Sequence, residues 1–585
     1  MNTTFDERGF TTGSDGGCWS WGLDLRSYVW NAPTLVTAPC STSTEGGRLA
    51  RVWDECLTEW YVNDSRGLER GFTVASRPGS ASAPLTLDLS IRGDLRPVVS
   101  MDGRTVSFTD AQGGTALNYS GLTVFDADGD TVTANWRALG DDRLRLRVED
   151  AGARYPLTID PIVQQAYLKA SNSAALDTFG YPVAVDGNTV VVGARSEDSN
   201  ATGVNGNQAS NSAGNSGAAY VFVRSGAVWS QQAYLKASNT EAGDAFGASL
   251  AISGDVIVVG APLEDSNATG VNGNQASNGA TDSGAAYVFV RPGGVWSQQA
   301  YLKASNTGGA GLGNLGDLFG HCVAVSGDTV AVGAPGEDSG ATGVNGNQTS
   351  NGAAGSGAAY VFVRSGAVWR QQAYLKASNT EGNDEFGFSI AISGNTVLAG
   401  ARGESSDATG VKGTQTSNGA AGSGAAYVFV RSGAVWSQQA YLKASNTDVG
   451  HEFGLSLAVS GDAAVVGAWG KSSNATGVNG TPTNNSTWSA GAAYIFVRSG
   501  SVWSQEAFLK ASNTEEYDNL GASVAVNGGT VLVGAPYESS SATGVNGNQS
   551  NNDTSSSGAV YVFVRSGGIW SQQAYLKASN TGVDD

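Results

Sequence analysis

The sequence predicts an all-β protein, a β-propeller of six four-stranded blades preceded by a β-rich N-terminal domain. Three observations carry this. The string QQAYLKASN or a close variant recurs, with its aromatic at Tyr167, Tyr234, Tyr301, Tyr374, Tyr441, Phe508 and Tyr575; the steps are 67 residues, except 73 in the third unit. Self-similarity at a fixed period is the mark of a repeat architecture. Each unit holds four short apolar or alternating runs separated by turn residues. Glycine is abundant, at 82 of 585 residues, and charged residues make up only 15%, as suits many short strands joined by tight turns.

Within the second unit, GASLAIS alternates and ends at the turn Ser253-Gly254-Asp255, and VIVVGA then runs apolar like a strand buried on both faces. A long polar loop follows, then AAYVFVR, a Pro-Gly-Gly turn and VWSQQAYLKAS. Two hairpins joined by one loop make a four-stranded antiparallel sheet. Such a sheet cannot bury both faces alone, whereas copies arranged around an axis can, and this favours a propeller over a flat solenoid. The repeats run at about 164–230, 231–297, 298–370, 371–437, 438–504 and 505–571, with a partial seventh, inside a domain spanning 161–585. The extra residues of the third unit fall in GGAGLGNLGD, which reads as a surface loop.

Two motifs recur in register. Units open on Phe179-Gly180, Phe246-Gly247, Phe319-Gly320, Phe386-Gly387 and Phe453-Gly454, with Leu520-Gly521 in the sixth. The second strand ends in Gly-Ala-Pro at Gly260, Gly333 and Gly534, with Arg195, Arg402 or Trp469 in place of proline elsewhere. This pattern resembles the FG-GAP repeat that builds the propeller of integrin α chains, in particular its bacterial branch. The resemblance covers about residues 164–585 and implies a binding scaffold without catalysis. The phenylalanines are expected to pack between blades, as are the recurring Trp229, Trp296, Trp369, Trp436, Trp503 and Trp570.

Residues 1–160 differ in composition. Six tryptophans lie among alternating runs such as TLDLSIRG and RLRLRVED, which predicts a sandwich-like β domain. Cys18, Cys40 and Cys56 fall here; one disulfide among them and three free thiols are both open readings. Asp126-Ala-Asp128-Gly-Asp130 resembles the start of a calcium loop but has Arg137 where the closing glutamate belongs, so a hairpin turn is expected.

The net charge of −19 argues against nucleic acid as a partner. No run approaches a membrane span. The chain has two histidines, and both read as variation at repeat positions: His321 beside Cys322, and His451 where other units carry Asp177, Asp244, Asp317, Asp384 and Asp518. Cys322 occupies a serine position, so a thiol nucleophile is not expected. The recurring aspartate is expected to cap the turn amides. With no triad or catalytic acid pair in view, the chain is expected not to be an enzyme.

Calcium is the one cofactor considered. In integrin-like repeats it sits in an acidic loop between the first two strands, and here that hairpin has shrunk to SGD, SGN, DGN or NGG. The long loop is the substitute candidate, through Glu197 and Asp198, Glu264 and Asp265, and Glu337 and Asp338; a loop held only by Asx turns is the alternative. In the fourth unit Glu404 and Asp407 are split, Lys471 replaces the acid in the fifth, and Glu538 stands alone in the sixth.

The function expected is a secreted or cell-surface binding or adhesion scaffold recognising a protein or a glycan. An accessory module of a larger secreted enzyme and a passive spacer are the alternatives. The start, MNTTFDERGF, lacks a signal-peptide pattern, and Asp585 aligns with Asp244 just before a next Phe-Gly. The expectation is therefore a fragment, whose three further strands would join the stretch Ile162 to Ala170 in a seventh blade.

Overall fold

The structure is a computed structural model. It describes residues 1–585 apart from 1, 7–8, 14–18, 31–32, 37, 46–47, 65–66, 78–82, 101–102, 112–114, 120–121, 128–131, 161–167, 226–227, 310–315, 482–484, 579–580 and 584–585. Cys18, Asp128, Asp130, most of the third-unit insertion, most of the orphan strand at Ile162 and the terminal Asp585 therefore lie outside the described residues.

Six four-stranded antiparallel sheets follow one another, each strand pairing with its sequence neighbours. In the second blade the strands are Ser249–Ser253, Val256–Ala261, Ala285–Val290 and Ser297–Leu302. The second strand is buried at every position, as its unbroken apolar run requires. The first strands of adjacent blades pack against each other in series from blade one to blade six. This is the propeller architecture, and it needs no helix to cover the sheets.

Both glycine motifs act where blades meet. A Cβ on Gly260 would lie 2.0 Å from the carbonyl oxygen of Gly320 in the next blade, and one on Gly333 would lie as close to that of Gly387. Gly320 itself has φ +90° and donates its N–H to Gly333 O at 2.9 Å. Gly180, Gly247, Gly320 and Gly454 thus bond the strand-end glycine of their own blade, and from the second blade on the Phe-Gly glycine presses on that of the blade before. Phe246, Phe319, Phe386 and Phe453 are fully buried, edge-on to Tyr287, Tyr360, Tyr427 and Tyr494. Phe179 departs from expectation and is only half-buried. Among the described residues no preceding blade covers it: Val183 and Val185 on the same first strand are 62% and 66% exposed, against 8% for Leu250, the counterpart of Val183 in the second blade.

The tryptophans of the second to sixth blades pack between blades as expected, whereas Trp229 of the first lies under Arg224 of its own blade. The indoles of Trp296, Trp369, Trp436 and Trp503 donate to Gln232, Gln299, Gln372 and Gln439 of the preceding blade at 2.8–2.9 Å. Trp570 donates to Glu506 in the same way. Cys322 takes its serine role, its thiol facing Gly387 O at 3.1 Å just as Ser249 Oγ donates to Gly320 O at 2.7 Å.

Strands between Asn2 and Asp160 form sheets of seven, three and six strands around one core that includes Trp21, Leu23, Phe72, Leu87, Phe108 and Trp136. Cys40 and Cys56 carry free thiols.

Truncating Phe319 to Ala removes a fully buried ring and is expected to destabilise the third blade by about 3–5 kcal/mol. Amide exchange across Cys322–Leu375 measures this. Phe179→Ala is expected to cost clearly less, because its ring is already half in solvent.

Candidate functional site

The long loops after the second strands are the most polar feature of the blades, and in five of the six blades the loop is anchored by one buried ion pair. In the second blade Glu264, 2% exposed, accepts from Lys303 Nζ at 2.9 Å through Oε2. Its Oε1 accepts from the Tyr301 hydroxyl and from Asn239 Nδ2, both at 2.8 Å. Lys303 Nζ also donates to Ser283 Oγ at 2.8 Å, and Ser283 Oγ donates on to the carbonyl of Ser266 within the loop. Tyr287 closes the cage by donating to Asn239 Oδ1 at 2.6 Å. Taking two charges out of water costs several kcal/mol each, and only a full set of further hydrogen bonds offsets it. This cage provides that set.

The same pair recurs as Glu197 with Lys236, Glu337 with Lys376, Glu404 with Lys443 and Glu538 with Lys577, at 2.8–3.0 Å. Burial lowers the pKa values of Lys236, Lys303, Lys376 and Lys443, the glutamate charge opposing it. The aspartate that follows the glutamate in the first three blades does different work: Asp198, Asp265 and Asp338 accept backbone N–H groups of Asn215, Asp282 and Gly355 at 2.8 Å and fold the loop back on itself.

These residues do not fit a calcium ion. The glutamate oxygens are taken up by an ammonium, a phenol and an amide, and the neighbouring carboxylates are spent on backbone turns. Among the described residues no three His, Cys, Asp or Glu side chains converge. The positive charge that the acidic loop requires comes from the lysine of QQAYLKASN. That lysine was not legible as a partner because it lies 39 residues from its glutamate. One signal was present: the one unit that lacks the acid, at Lys471, also has Phe508 for tyrosine.

The recurring aspartates cap turns. Asp244, Asp384 and Asp518 each accept the N–H of the residue three before at 2.9 Å, and Asp317 accepts that of Gly308. Burial first, and then neighbouring acids, push the carboxyls of Asp244, Asp317, Asp384 and Asp518 up to about 7. His321 stacks on Phe388 and burial lowers it to about 4; burial also raises the Cys322 thiol, so neither is poised for nucleophilic work.

The chain belongs to the FG-GAP repeat family, which it matches at residues 162–222, 229–289, 296–362, 369–429, 436–496 and 503–563. No curated protein matches it. Among the described residues no helix is long and apolar enough to cross a membrane.

Lys303→Met leaves Glu264 buried without its counter-ion and is expected to destabilise the second blade by about 3–5 kcal/mol, read by denaturant unfolding. The four capping aspartates set a pH dependence. Each binds its proton more tightly folded, near 7, than unfolded, near 3.8. Their contribution therefore favours the folded state increasingly as pH falls from about 7 towards 4. Melting temperature is expected to rise over that window, and Asp317→Asn, which retains the acceptor oxygen, is expected to flatten the slope.

Proposed function

We propose that this chain is a non-enzymatic binding or adhesion scaffold, secreted or displayed at a cell surface, that recognises a protein or a glycan through its long-loop rim. One observation carries the reading. Trp488, Tyr517 and Tyr537 are 64%, 59% and 49% exposed and lie where the fifth blade meets the sixth. The position of Trp488 is Gly214, Thr281, Ala354, Ala421 and Ser555 in the other units; that of Tyr517 is Leu176, Gly243, Gly316, Asn383 and Gly450. Tyr517 donates its N–H to Trp488 O at 2.9 Å, so the two residues are neighbours. The counterparts of Tyr517 and Tyr537 abut in earlier blades: a Cβ on Gly403 would lie 2.1 Å from Asn383 O.

Three large aromatic side chains left in solvent, where sister units keep mostly small or polar residues, add nothing to blade packing. Trp and Tyr are the residues that dominate binding energy at interfaces, and their flat apolar faces with polar edges suit a sugar ring or a peptide side chain equally. A passive spacer has no use for them. Of the acids beside them, Glu538 is committed to its buried lysine and Asp518 to a turn amide, which supports binding over hydrolysis.

Trp488→Ala and Tyr517→Ala are expected to weaken binding to whichever glycan or protein the chain captures on an array by at least about tenfold each. Their melting temperatures are expected to match that of the parent, since exposed substitutions cost little. Unchanged capture by the double variant removes the reading.

A further inference from the structure

The fifth blade holds the counterpart of every cage residue, but with the charge inverted. Where the other units have Glu197, Glu264, Glu337, Glu404 and Glu538, it has Lys471. Where they have Ser216, Ser283, Ser356, Ser423 and Ser557, it has Ala490, and in place of Tyr234, Tyr301, Tyr374, Tyr441 and Tyr575 it has Phe508. The capping aspartate has become His451. The lysine itself is kept, as Lys510. Each side-chain oxygen that accepts from this lysine in the second blade has thus been deleted, and so has the tyrosine hydroxyl that braces the carboxylate.

The three nitrogen-bearing groups stay buried. Lys510, Lys471 and His451 are 0%, 1% and 2% exposed. Lys510 Nζ donates to the carbonyl of Gly491 at 2.5 Å, its one acceptor among the described residues. Lys471 Nζ turns outward to Asn485 Oδ1 at 2.8 Å, and Asn485 in turn donates to Asp448. His451 Nδ1 is buried with no hydrogen-bond partner. Two carboxylates stand nearby, and both are engaged elsewhere: Asp448 with Asn485, and Asp518 with the N–H of Glu515 in the next blade.

We infer that the fifth blade binds a small inorganic anion of the halide class beside Lys510, in the cage where the other blades hold a glutamate carboxylate. An isolated buried ammonium is too costly to persist: it either loses its proton or acquires a counter-ion. Without an anion, burial and the mutual repulsion of the lysines lower Lys510 to about 7, and burial lowers Lys471 to about 8, so both still carry much of their charge near neutrality. The ammonium of Lys510, with one carbonyl acceptor for its three N–H groups, is a donor of the kind a halide takes. Size sets the class. Lys471 carries as many side-chain heavy atoms as the glutamate it replaces but turns its Nζ outward to Asn485, and Ala490 and Phe508 each lack one oxygen; a change of that size suits a monatomic ion and not a phosphate or an organic acid.

The test pairs the native chain with the triple variant Lys471→Glu, Ala490→Ser and Phe508→Tyr, which rebuilds the cage of the other blades. Crystals soaked in bromide are expected to show an anomalous peak in contact with Lys510 Nζ in the native chain and none there in the variant. In solution, replacing gluconate with chloride at constant ionic strength is expected to raise the native melting temperature by roughly 2 °C or more, because the ion binds only the folded state, and to leave the variant unmoved. A native crystal with bromide sites elsewhere but none at Lys510 overturns the inference. So does an equal chloride response in the two chains, whatever the diffraction shows.

Discussion

Adjacent blades meet backbone to backbone at paired glycines, and the spacing of the whole propeller follows from that contact. The carbonyl of each Phe-Gly glycine lies where a side chain on the preceding Gly-Ala-Pro glycine would be; the gap to a hypothetical Cβ is 2.0–2.3 Å at Gly193, Gly260, Gly333, Gly400 and Gly467. With first strands brought this close, the phenylalanines of the second to fifth blades are driven into the interior and the indoles behind them come within reach of the previous blade's glutamines. The serine hydroxyl beside the contact, or the thiol of Cys322, bonds the same carbonyl and fixes the approach. Aromatic packing, strand order and the outward course of the long loops all depend on this one steric allowance.

Much of this was legible because it is periodic. Phe-Gly, Gly-Ala-Pro and the tryptophans recur in register, and each has a local physical reason that one unit reveals. What escaped the sequence depends on partners. The half-exposure of Phe179 depends on what lies on the far side of the first blade, which no reading of its own unit supplies. The pairing of Glu264 with Lys303 joins two ends of a blade through the fold, and a lysine within an alternating strand reads as a solvated residue. The acidic loop accordingly suggested a metal, where the folded chain provides an internal ammonium.

The five matched cages and the inverted one also separate two demands on the same loop. Its base must be neutralised and filled, which the Glu–Lys–Tyr–Asn–Ser set achieves in one way and the fifth blade in another. Where it returns to the next strand its side chains point into solvent, and there the units diverge, from Gly214 and Ala354 to Trp488. A rigid buried anchor under a variable exposed stretch lets surface chemistry change without disturbing the sheet below.

The indole contact between blades bears on how the chain finds its native order. Blades this alike present nearly interchangeable faces, so a nascent blade can dock on the wrong neighbour at little energetic loss, a hazard typical of repeat chains. Glutamine is the acceptor for four of these indoles, but Glu506 serves Trp570 and also pairs with Arg565 of the sixth blade. A charge at that one seam makes the fifth-to-sixth junction unlike the others. It gives the sixth blade a docking face that the four glutamine seams do not share.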